Sequence, residues 1–250
     1  MSTQSVKTAV QVIETISLHQ PIGLSDIAKR TGGSKATILR MLATLKEMNW
    51  VKQSDTRDAT WSLTFHTYAV TARAGLGADL RDIAIGPMNG LQLDTRETVH
   101  LCVPDGKAVV LIERLDTPHV LRAFLALGTP VPLHASATGM AFLGASADDF
   151  VHDVLGGPLE KVSDQTATDP DAVWKLVRET RERGYAINEE GLSSGITSLG
   201  AAIVNSTGAP VGSVSVSGPS SRITPAKYEE YGTAVARTAG EISALMRGSR

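Results

Sequence analysis

The segment Gly191-Leu192-Ser193-Ser194-Gly195 matches G-x-S-x-G, the pattern that surrounds the serine nucleophile of many hydrolases. That chemistry requires a buried strand directly before the serine and a helix directly after it. Here Asn188-Glu189-Glu190 lie before the motif, and the residues after it favour another strand. The protein is therefore not expected to be an enzyme, and a hydrolase that uses Ser193 is kept only as an alternative.

Two other sets of small polar residues suit the holding of a ligand. His134-Ala135-Ser136-Ala137-Thr138-Gly139 leads into a predicted helix over residues 137–144, so the Ser136 hydroxyl and the first helical N–H groups could hold an anionic or carbonyl group. Ser213, Ser215 and Ser217 alternate along one predicted strand and therefore share a face. That face either is solvated or lines a cavity, and the sequence leaves both interpretations open.

A third set lies on a predicted helix over residues 34–48, for which Ser34 is a candidate N-cap. One stripe of this helix is apolar and comprises Ile38, Leu42 and Leu45. The opposite side carries Ala36, Thr37 and Arg40. Small residues let a helix enter the DNA major groove, where an arginine can bond guanine or phosphate. The pattern therefore predicts a recognition helix, with a merely solvated helix face as the alternative.

The elements around this helix are those of a winged helix-turn-helix. A helix over residues 5–18 and a short one that ends at Thr31-Gly32-Gly33 are predicted before it. Short strands at 50–53 and 60–63 follow, and the turn-rich connector between them carries Arg57. Such a wing would reach the DNA backbone or minor groove. A winged helix used for protein contacts is the alternative, and salt dependence of binding would distinguish the two.

A linker helix is predicted from residue 65 to about 74, followed by strands of period two. Hairpins are expected at 98–114 and 198–217, and a further strand at 120–127. Helices are expected from Asp169-Pro170 to Gly184 and from Thr224 to about residue 246. Hairpins mixed with helices indicate an antiparallel α+β domain. The expected domains are residues 1–64, a linker at 65–77, and residues 78–250.

Composition bounds the class of protein. The 250 residues suit two domains, no apolar run approaches the roughly 20 residues of a membrane span, and no export signal is evident, so a cytoplasmic protein without membrane contact is expected. One cysteine and scattered histidines predict neither a disulfide nor a metal site, and no cofactor is expected. Residues 1–75 carry nine Lys/Arg against five Asp/Glu (net +4), which leaves 15 against 21 (net −6) in the remainder. Only the first part suits attraction to phosphate.

Over nearly its whole length the sequence resembles the IclR family of transcriptional regulators. The segments that carry this resemblance are LSDIAKRTGGSKATILRMLATL, ETVHLCV, HVLRAFLALGTPVPLHASATG, RGYAINEEG and GSVSVSGPSSRIT, in the family's order. The resemblance implies a winged helix-turn-helix joined to a GAF/PAS-like antiparallel-sheet domain. It also implies dimers or dimers of dimers on palindromic operators, and repression or activation of catabolic operons in response to small organic or aromatic acids.

The resemblance also implies site residues, position by position. The recognition-helix positions of the family match Ser34, Lys35, Thr37 and Arg40, to which the helix face adds Ala36 and the wing adds Arg57. The positions of the effector pocket match Ser136, Ala137, Gly139, Asn188, Ser198, Ser215 and Ser217. The chain departs from the family's usual Lys at Met140, Asp at Asn188, Cys at Ser198 and Pro at Ala202. These departures would change ligand preference wherever the side chain faces the cavity.

Overall fold

A computed structural model describes residues 2–55, 58–73 and 78–248. The chain divides into two compact units, Met1–Leu76 and Gly77–Arg250, and each has its own hydrophobic core. The boundaries predicted for the domains remain predictions. None of the helices in the described ranges is both long and apolar enough to cross a membrane.

The first unit contains three helices, a two-stranded antiparallel sheet and a fourth helix. Its elements are α1 Gln4–His19, α2 Leu24–Thr31, α3 Lys35–Glu47, β1 Val51–Gln53, β2 Trp61–Leu63 and α4 Phe65–Arg73. The core is formed by apolar residues of the three helices, one residue of each strand and Ile22 of the α1–α2 connection: Val12, Ile16, Ile22, Ile27, Ala28, Ile38, Leu42, Leu45, Val51 and Trp61. Burial of this set fixes the rotation of α3 and therefore decides which of its side chains face outward.

The turn between α2 and α3 is set by two residues. Gly32 ends α2 in the left-handed region at φ 68°, a conformation that glycine adopts without strain. Ser34 then caps α3, because its hydroxyl accepts a hydrogen bond from the Thr37 N–H at 3.2 Å. The predicted N-cap at Ser34 and the predicted start of this helix are thus confirmed.

The second unit is built on one antiparallel sheet of six strands in the order β5-β4-β3-β8-β7-β6. The strands are β3 Thr98–Asp105, β4 Ala108–Leu115, β5 Pro130–Pro132, β6 Ala186–Glu189, β7 Ile196–Val204 and β8 Pro210–Pro219. The helices are α5 Ala78–Thr95, α6 Ala137–Ala145, α7 Asp148–Leu155, α8 Pro170–Arg183 and α9 Tyr228–Gly248, with short 3-10 turns at Leu133–Ala135 and Pro225–Lys227.

Helices cover both faces of this sheet. Residues such as Val99, Leu199 and Val216 pack with α5 and α9 on one face, and the core on the other face joins Cys102 and Leu111 to α6, α7 and α8. Side chains along a strand alternate between the two faces. The central strands are therefore buried on both sides, and His100, Ser215 and Ser217 face α6 and its surroundings rather than solvent. The predicted α+β architecture, a winged helix-turn-helix with an antiparallel-sheet domain, is confirmed.

The strand predicted at residues 120–127 is wrong. The segment is irregular, and the edge position beside β4 is taken by β5. Three of its carbonyl groups accept hydrogen bonds from side chains rather than from a neighbouring strand. Thr98, Arg114 and Arg222 donate to the carbonyls of residues 123, 125 and 121, respectively. Four of its apolar side chains, Val120, Leu121, Phe124 and Leu127, are exposed, whereas Ala123 is buried and Leu125 is half-buried. The prediction was wrong because the segment has the apolar composition of a strand but does not pair with the sheet.

Candidate functional site

The outward face of α3 carries the predicted DNA contacts. Ser34, Lys35, Ala36 and Arg40 are exposed and Thr37 is half-buried, whereas Ile38, Leu42 and Leu45 on the opposite side are in the core. Within the part of the chain that the structure describes, neither Lys35 nor Arg40 forms an ion pair. Both cations are thus available for a phosphate or a base. Arg57, predicted on the wing, lies outside the described residues.

A cavity of about 420 Å³ lies in the second unit, over the face of the sheet that α6 covers. Its floor consists of side chains from the three central strands: His100, Cys102, Ser198, Ser215 and Ser217. The start of α6 forms one wall through Ser136, Ala137 and Thr138. The other walls are mostly apolar and include Ala123, Phe124, Leu125, Val131, Val162, Leu192 and Ile196. A concave, largely apolar site with a few converging polar groups is the usual form of a small-molecule site.

The floor is assembled by strand register. His100 of β3 lies opposite Ser215 of β8, and Ser217 lies opposite Ser198 of β7. The His100 Nδ1 atom is 3.2 Å from the Ser217 hydroxyl oxygen. Ser213, Ser215 and Ser217 are at most 4% exposed, so the alternative that this face is solvated is excluded. Burial of so many hydroxyl groups requires partners for them, which neighbouring strands and a ligand can supply.

The start of α6 adds hydrogen-bond donors. The Ser136 hydroxyl accepts from the Gly139 N–H at 3.0 Å and donates to the Pro132 carbonyl at 3.3 Å, which makes Ser136 the N-cap. Ala137 and Thr138, the first two helical residues, line the cavity, and N–H groups in the first turn have no partner within a helix. Gly200 of β7 lets this helix lie on the sheet, because a Cβ atom there would be 2.5 Å from the Ala137 carbonyl oxygen.

The cavity offers neutral polar groups rather than a cation. Among the described residues that line it none is Lys or Arg, and Glu160 carries the one formal charge. Burial, reinforced by Arg114, lowers the pKa of His100 to about 4, and burial raises the pKa of the Cys102 thiol to about 12. Both side chains are therefore neutral near pH 7. An anionic ligand would be held by hydroxyl groups and helix N–H groups.

Five of the seven predicted pocket residues line this one cavity: Ser136, Ala137, Ser198, Ser215 and Ser217. Gly139 does not, and a Cβ atom there would be 2.4 Å from the Leu133 carbonyl oxygen, so the glycine permits close packing of α6. Asn188 is not a lining residue either, and its amide lies against Gly191.

Of the departures from the family pattern, Ser198 reaches the cavity. Met140 is 2% exposed within the core beneath α6, and the half-buried Ala202 is not among the lining residues. A lysine at Met140 would place its charge in that core rather than in the cavity. Among these four positions, Ser198 is thus the one whose residue lines the cavity.

The G-x-S-x-G motif does not form a nucleophile elbow. Ser193 is exposed in the turn between β6 and β7, and a strand rather than a helix follows it. No group of three or more His, Cys, Asp or Glu side chains within the described residues could hold a metal ion. Thr138, which belongs to the segment predicted to hold a ligand, lines the cavity, and so do His100 and Cys102, which the sequence did not indicate. The alternation of Thr98, His100 and Cys102 along β3 is the signal that could have shown a shared face.

A winged helix-turn-helix in one unit and a ligand-sized cavity in the other define a DNA-binding transcriptional regulator with an effector-binding domain. Comparisons with known proteins agree. The family model described as "IclR helix-turn-helix domain" matches residues 5–55, and that described as "Bacterial transcriptional regulator IclR C-terminal" matches residues 74–244. The chain belongs to the IclR family of bacterial transcriptional regulators, which confirms the resemblance seen in the sequence.

Relatives match nearly the whole chain. The regulator KdgR of Escherichia coli is 28% identical over 98% of this chain and 93% of its own length, and BhcR of Paracoccus denitrificans is 31% identical over 96% and 86%. The IclR crystal structure from Thermotoga maritima has a TM-score of 0.82 at 26% identity and covers 97% of this chain and 98% of its own. An IclR homologue from Microbacterium hydrocarbonoxydans, solved with 4-hydroxybenzoate, shares the fold with a TM-score of 0.83 at 23% identity and covers 98% and 100%.

Proposed function

We propose that this regulator binds a small organic acid in the cavity and changes its affinity for an operator in response, in the cytoplasm and as a homodimer or a dimer of dimers. The observation that carries the proposal is the cavity itself, in which Ser136 and the first turn of α6 converge with Ser198, Ser215 and Ser217 under apolar walls. Hydroxyl groups and helix N–H groups suit a carboxylate, and the walls suit a hydrocarbon ring or chain. The controlled genes would serve the breakdown of that acid.

On the DNA side we propose that Ser34, Lys35, Ala36, Thr37 and Arg40 contact the major groove and its phosphates, with Arg57 of the wing on the backbone. The exposed α3 face supports this assignment, because it combines small residues with two cations that have no ion-pair partner among the described residues. A dimer would place two recognition helices on half-sites separated by whole turns of a palindromic operator.

Ligand binding is tested with the full chain by thermal shift and calorimetry against aromatic and aliphatic acids. A ligand at 100 times its Kd stabilises a protein by about 2.7 kcal/mol, which raises the melting temperature clearly. The double variant Ser215→Ala, Ser217→Ala should lose most of the shift. Ser206→Ala, which removes an exposed hydroxyl in the β7–β8 turn, is the matched control and should keep it. If the double variant keeps the full thermal shift with a ligand, the ligand binds elsewhere.

DNA binding is tested by selecting operator fragments from genomic DNA and measuring affinity at increasing salt. Each phosphate contact should contribute a slope of about −0.9 in log K against log salt. A footprint of two inverted half-sites would support the dimer. A flat salt response, with no selected fragment, would favour the protein-interaction alternative. We also propose that Ser193 has no catalytic role, so Ser193→Ala should leave any turnover of a nitrophenyl ester unchanged.

A further inference from the structure

A β-bulge in β4 decides which face of the sheet the end of that strand presents to each side. Two consecutive residues of β3 pair with Leu111 and Glu113, so Ile112 between them is an extra residue in the ladder. Side chains of a strand alternate between the two faces, and an extra residue reverses the alternation beyond it. Glu113 therefore lies on the face that α5 covers, and Arg114 lies on the face that bears the cavity.

Arg114 is held by the wall of the cavity. Its guanidinium donates a hydrogen bond to the Leu125 carbonyl and lies 4.3 Å from the centre of the Phe124 ring, and both of those residues line the cavity. It also bonds the Asp116 carboxylate at 2.9 Å. A molecule in the cavity that displaces the wall at Phe124 and Leu125 therefore displaces Arg114 as well.

Glu113 is held by the first turn of α5, on the other face of the sheet. One oxygen of its carboxylate bonds the Arg81 guanidinium at 2.5 Å, and the other accepts the Arg114 N–H at 2.8 Å. The Glu113 side chain is only 11% exposed, so this pair is screened by solvent far less than an ion pair at the surface. Leu80, next to Arg81, is buried in the core, which fixes this turn of α5 to the sheet.

These contacts run without a gap from the cavity wall to the start of α5. Contiguous contacts of this kind can carry coupling between two sites, provided that the element they act on has two arrangements. α5 is the first element of the second unit, and the chain that enters it comes from the DNA-binding unit. A shift at the start of α5 therefore acts on the attachment of the recognition helix.

We propose that the ion pair of Glu113 and Arg81 couples occupancy of the cavity to operator binding. An occupant that displaces the wall moves Arg114 and Glu113 together, and Glu113 moves the first turn of α5 through Arg81. This inference rests on the proposed effector control of operator binding and names the residues that transmit it. Arg81 and Glu113 are positioning residues, because neither is among the described residues that line the cavity.

The first test measures the operator affinity of the full chain by fluorescence anisotropy, with and without 4-hydroxybenzoate, benzoate, propionate or pyruvate. Coupling between two sites typically changes affinity about 5- to 150-fold. The double variant Arg81→Gln, Glu113→Gln removes both charges and leaves no buried carboxylate unpaired. In it the change in operator affinity should fall below about 2-fold, whereas the Kd of the acid, from calorimetry, should change less than about 3-fold.

Lys107→Gln is the matched control. It removes a cation that is 52% exposed, against 48% for Arg81, and that pairs with Asp153 at 2.8 Å at the other end of β4. This variant should keep the full response. An unreduced response in the double variant overturns the inference and leaves effector control standing. Loss of acid binding in the double variant also overturns it, because the pair would then only support the cavity.

If none of the four acids alters operator affinity in the parent, the proposed acid effector is contradicted, and a second test decides the inference without any acid. Phe124→Ala removes the ring over Arg114, and hydrogen exchange at the buried Ala84 reports on α5. Exchange there should become at least about 3-fold faster in the parent background but not in the double variant. Val120→Ala, which shortens a side chain that is 96% exposed in the same segment, should have no effect. No effect of Phe124→Ala, or an equal effect in both backgrounds, overturns the inference.

Discussion

The exposed face of α3 and the floor of the cavity are the two sets of polar side chains that we propose bind DNA and the ligand, but they are built in opposite ways. The α3 set lies within seven consecutive residues, 34–40, and water satisfies its polar groups before DNA does. The floor set comes from three strands, of which β3 lies more than 90 residues before β7 and β8 in the chain, and all of its members except the half-buried Ser198 are buried. Its groups must be satisfied by each other, by enclosed water or by a ligand. Binding and stability should therefore be separable in the first region and coupled in the second.

The largest expected effect is a loss of stability in the second unit, which contains the cavity. In Gly200→Ala the new Cβ would be 2.5 Å from the Ala137 carbonyl oxygen, and neither backbone can withdraw easily. We expect the second unit to lose about 3 kcal/mol or more of unfolding free energy, together with ligand binding. Urea unfolding followed by far-ultraviolet circular dichroism measures this. Tryptophan emission reports on the first unit, through Trp50 and Trp61, when parent and variant both carry Trp174→Phe.

Gly90→Ala is the control for that substitution. A Cβ atom at Gly90, within α5, meets nothing within 4 Å, and alanine favours a helix over glycine by up to about 1 kcal/mol. This variant should be as stable as the parent or more so. Equal stability of the two variants would contradict the packing of α6 on β7.

A change of pH should also affect the floor more than the α3 face. The pKa of His100 lies at about 4 in the fold against 6.5 when exposed, so between these values the unfolded chain binds a proton that the folded chain does not. The unfolding free energy therefore has its full value above pH 6.5 and decreases as pH falls towards 4. The decrease is about 1.4 kcal/mol per pH unit, or about 3 kcal/mol in total. The difference in unfolding free energy between parent and His100→Asn across this range isolates the effect.

Ring resonances in NMR provide the direct check. The signals that disappear in His100→Gln identify the ring, and they should not titrate above about pH 5 in the parent. A midpoint near 6.5 would mean that the ring is hydrated and that the floor is not closed as described.

The same contrast explains what sequence could and could not predict. The α3 face was predicted because helical spacing within a few residues separates Ile38 and Leu42 from Arg40, and Ser34 marks the start. The alternation of Ser215 and Ser217 predicted a shared face but not its burial, which depends on α6 lying above it. Periodicity is a local property of the sequence, whereas the burial of a strand face depends on which helices pack on it.

His100 was missed for a related reason. Its place in the cavity floor follows from the pairing of β3 with β8, which brings His100 next to Ser217, 117 positions later in the chain. No local pattern contains that information. The segment at 120–127 shows the converse error. Its apolar composition favoured a strand, yet the position beside β4 belongs to β5 and the segment is held by side-chain bonds from Thr98, Arg114 and Arg222.

A smaller effect should separate binding from stability on the α3 face. Arg40→Ala should weaken operator binding about 10- to 100-fold, as loss of one arginine contact to a base does, and change the unfolding free energy by less than about 0.5 kcal/mol. Fluorescence anisotropy on a selected operator fragment measures the first and urea unfolding the second. Arg178→Ala, an exposed arginine of α8, should alter neither. An unchanged operator affinity in Arg40→Ala would remove α3 from the interface.

The smallest and sharpest comparison uses two serines with the same local role. Ser34 and Ser136 each accept from the N–H three residues later, at 3.2 and 3.0 Å, but Ser34 is exposed and Ser136 is 3% exposed. Ser34→Ala should cost about 1 kcal/mol, and Ser136→Ala nearer 2, because the Pro132 carbonyl also loses its donor.

Aspartate at the same two positions should separate the regions further. An exposed carboxylate caps a helix as well as serine does, so Ser34→Asp should retain the stability of the parent in urea unfolding. Ser136→Asp would bury a charge beside the ligand site and should be less stable than Ser136→Ala. If aspartate were tolerated equally at both positions, the start of α6 would be hydrated. The cavity would then differ from the α3 face only in shape, and its hydroxyl groups would need no ligand to complete them.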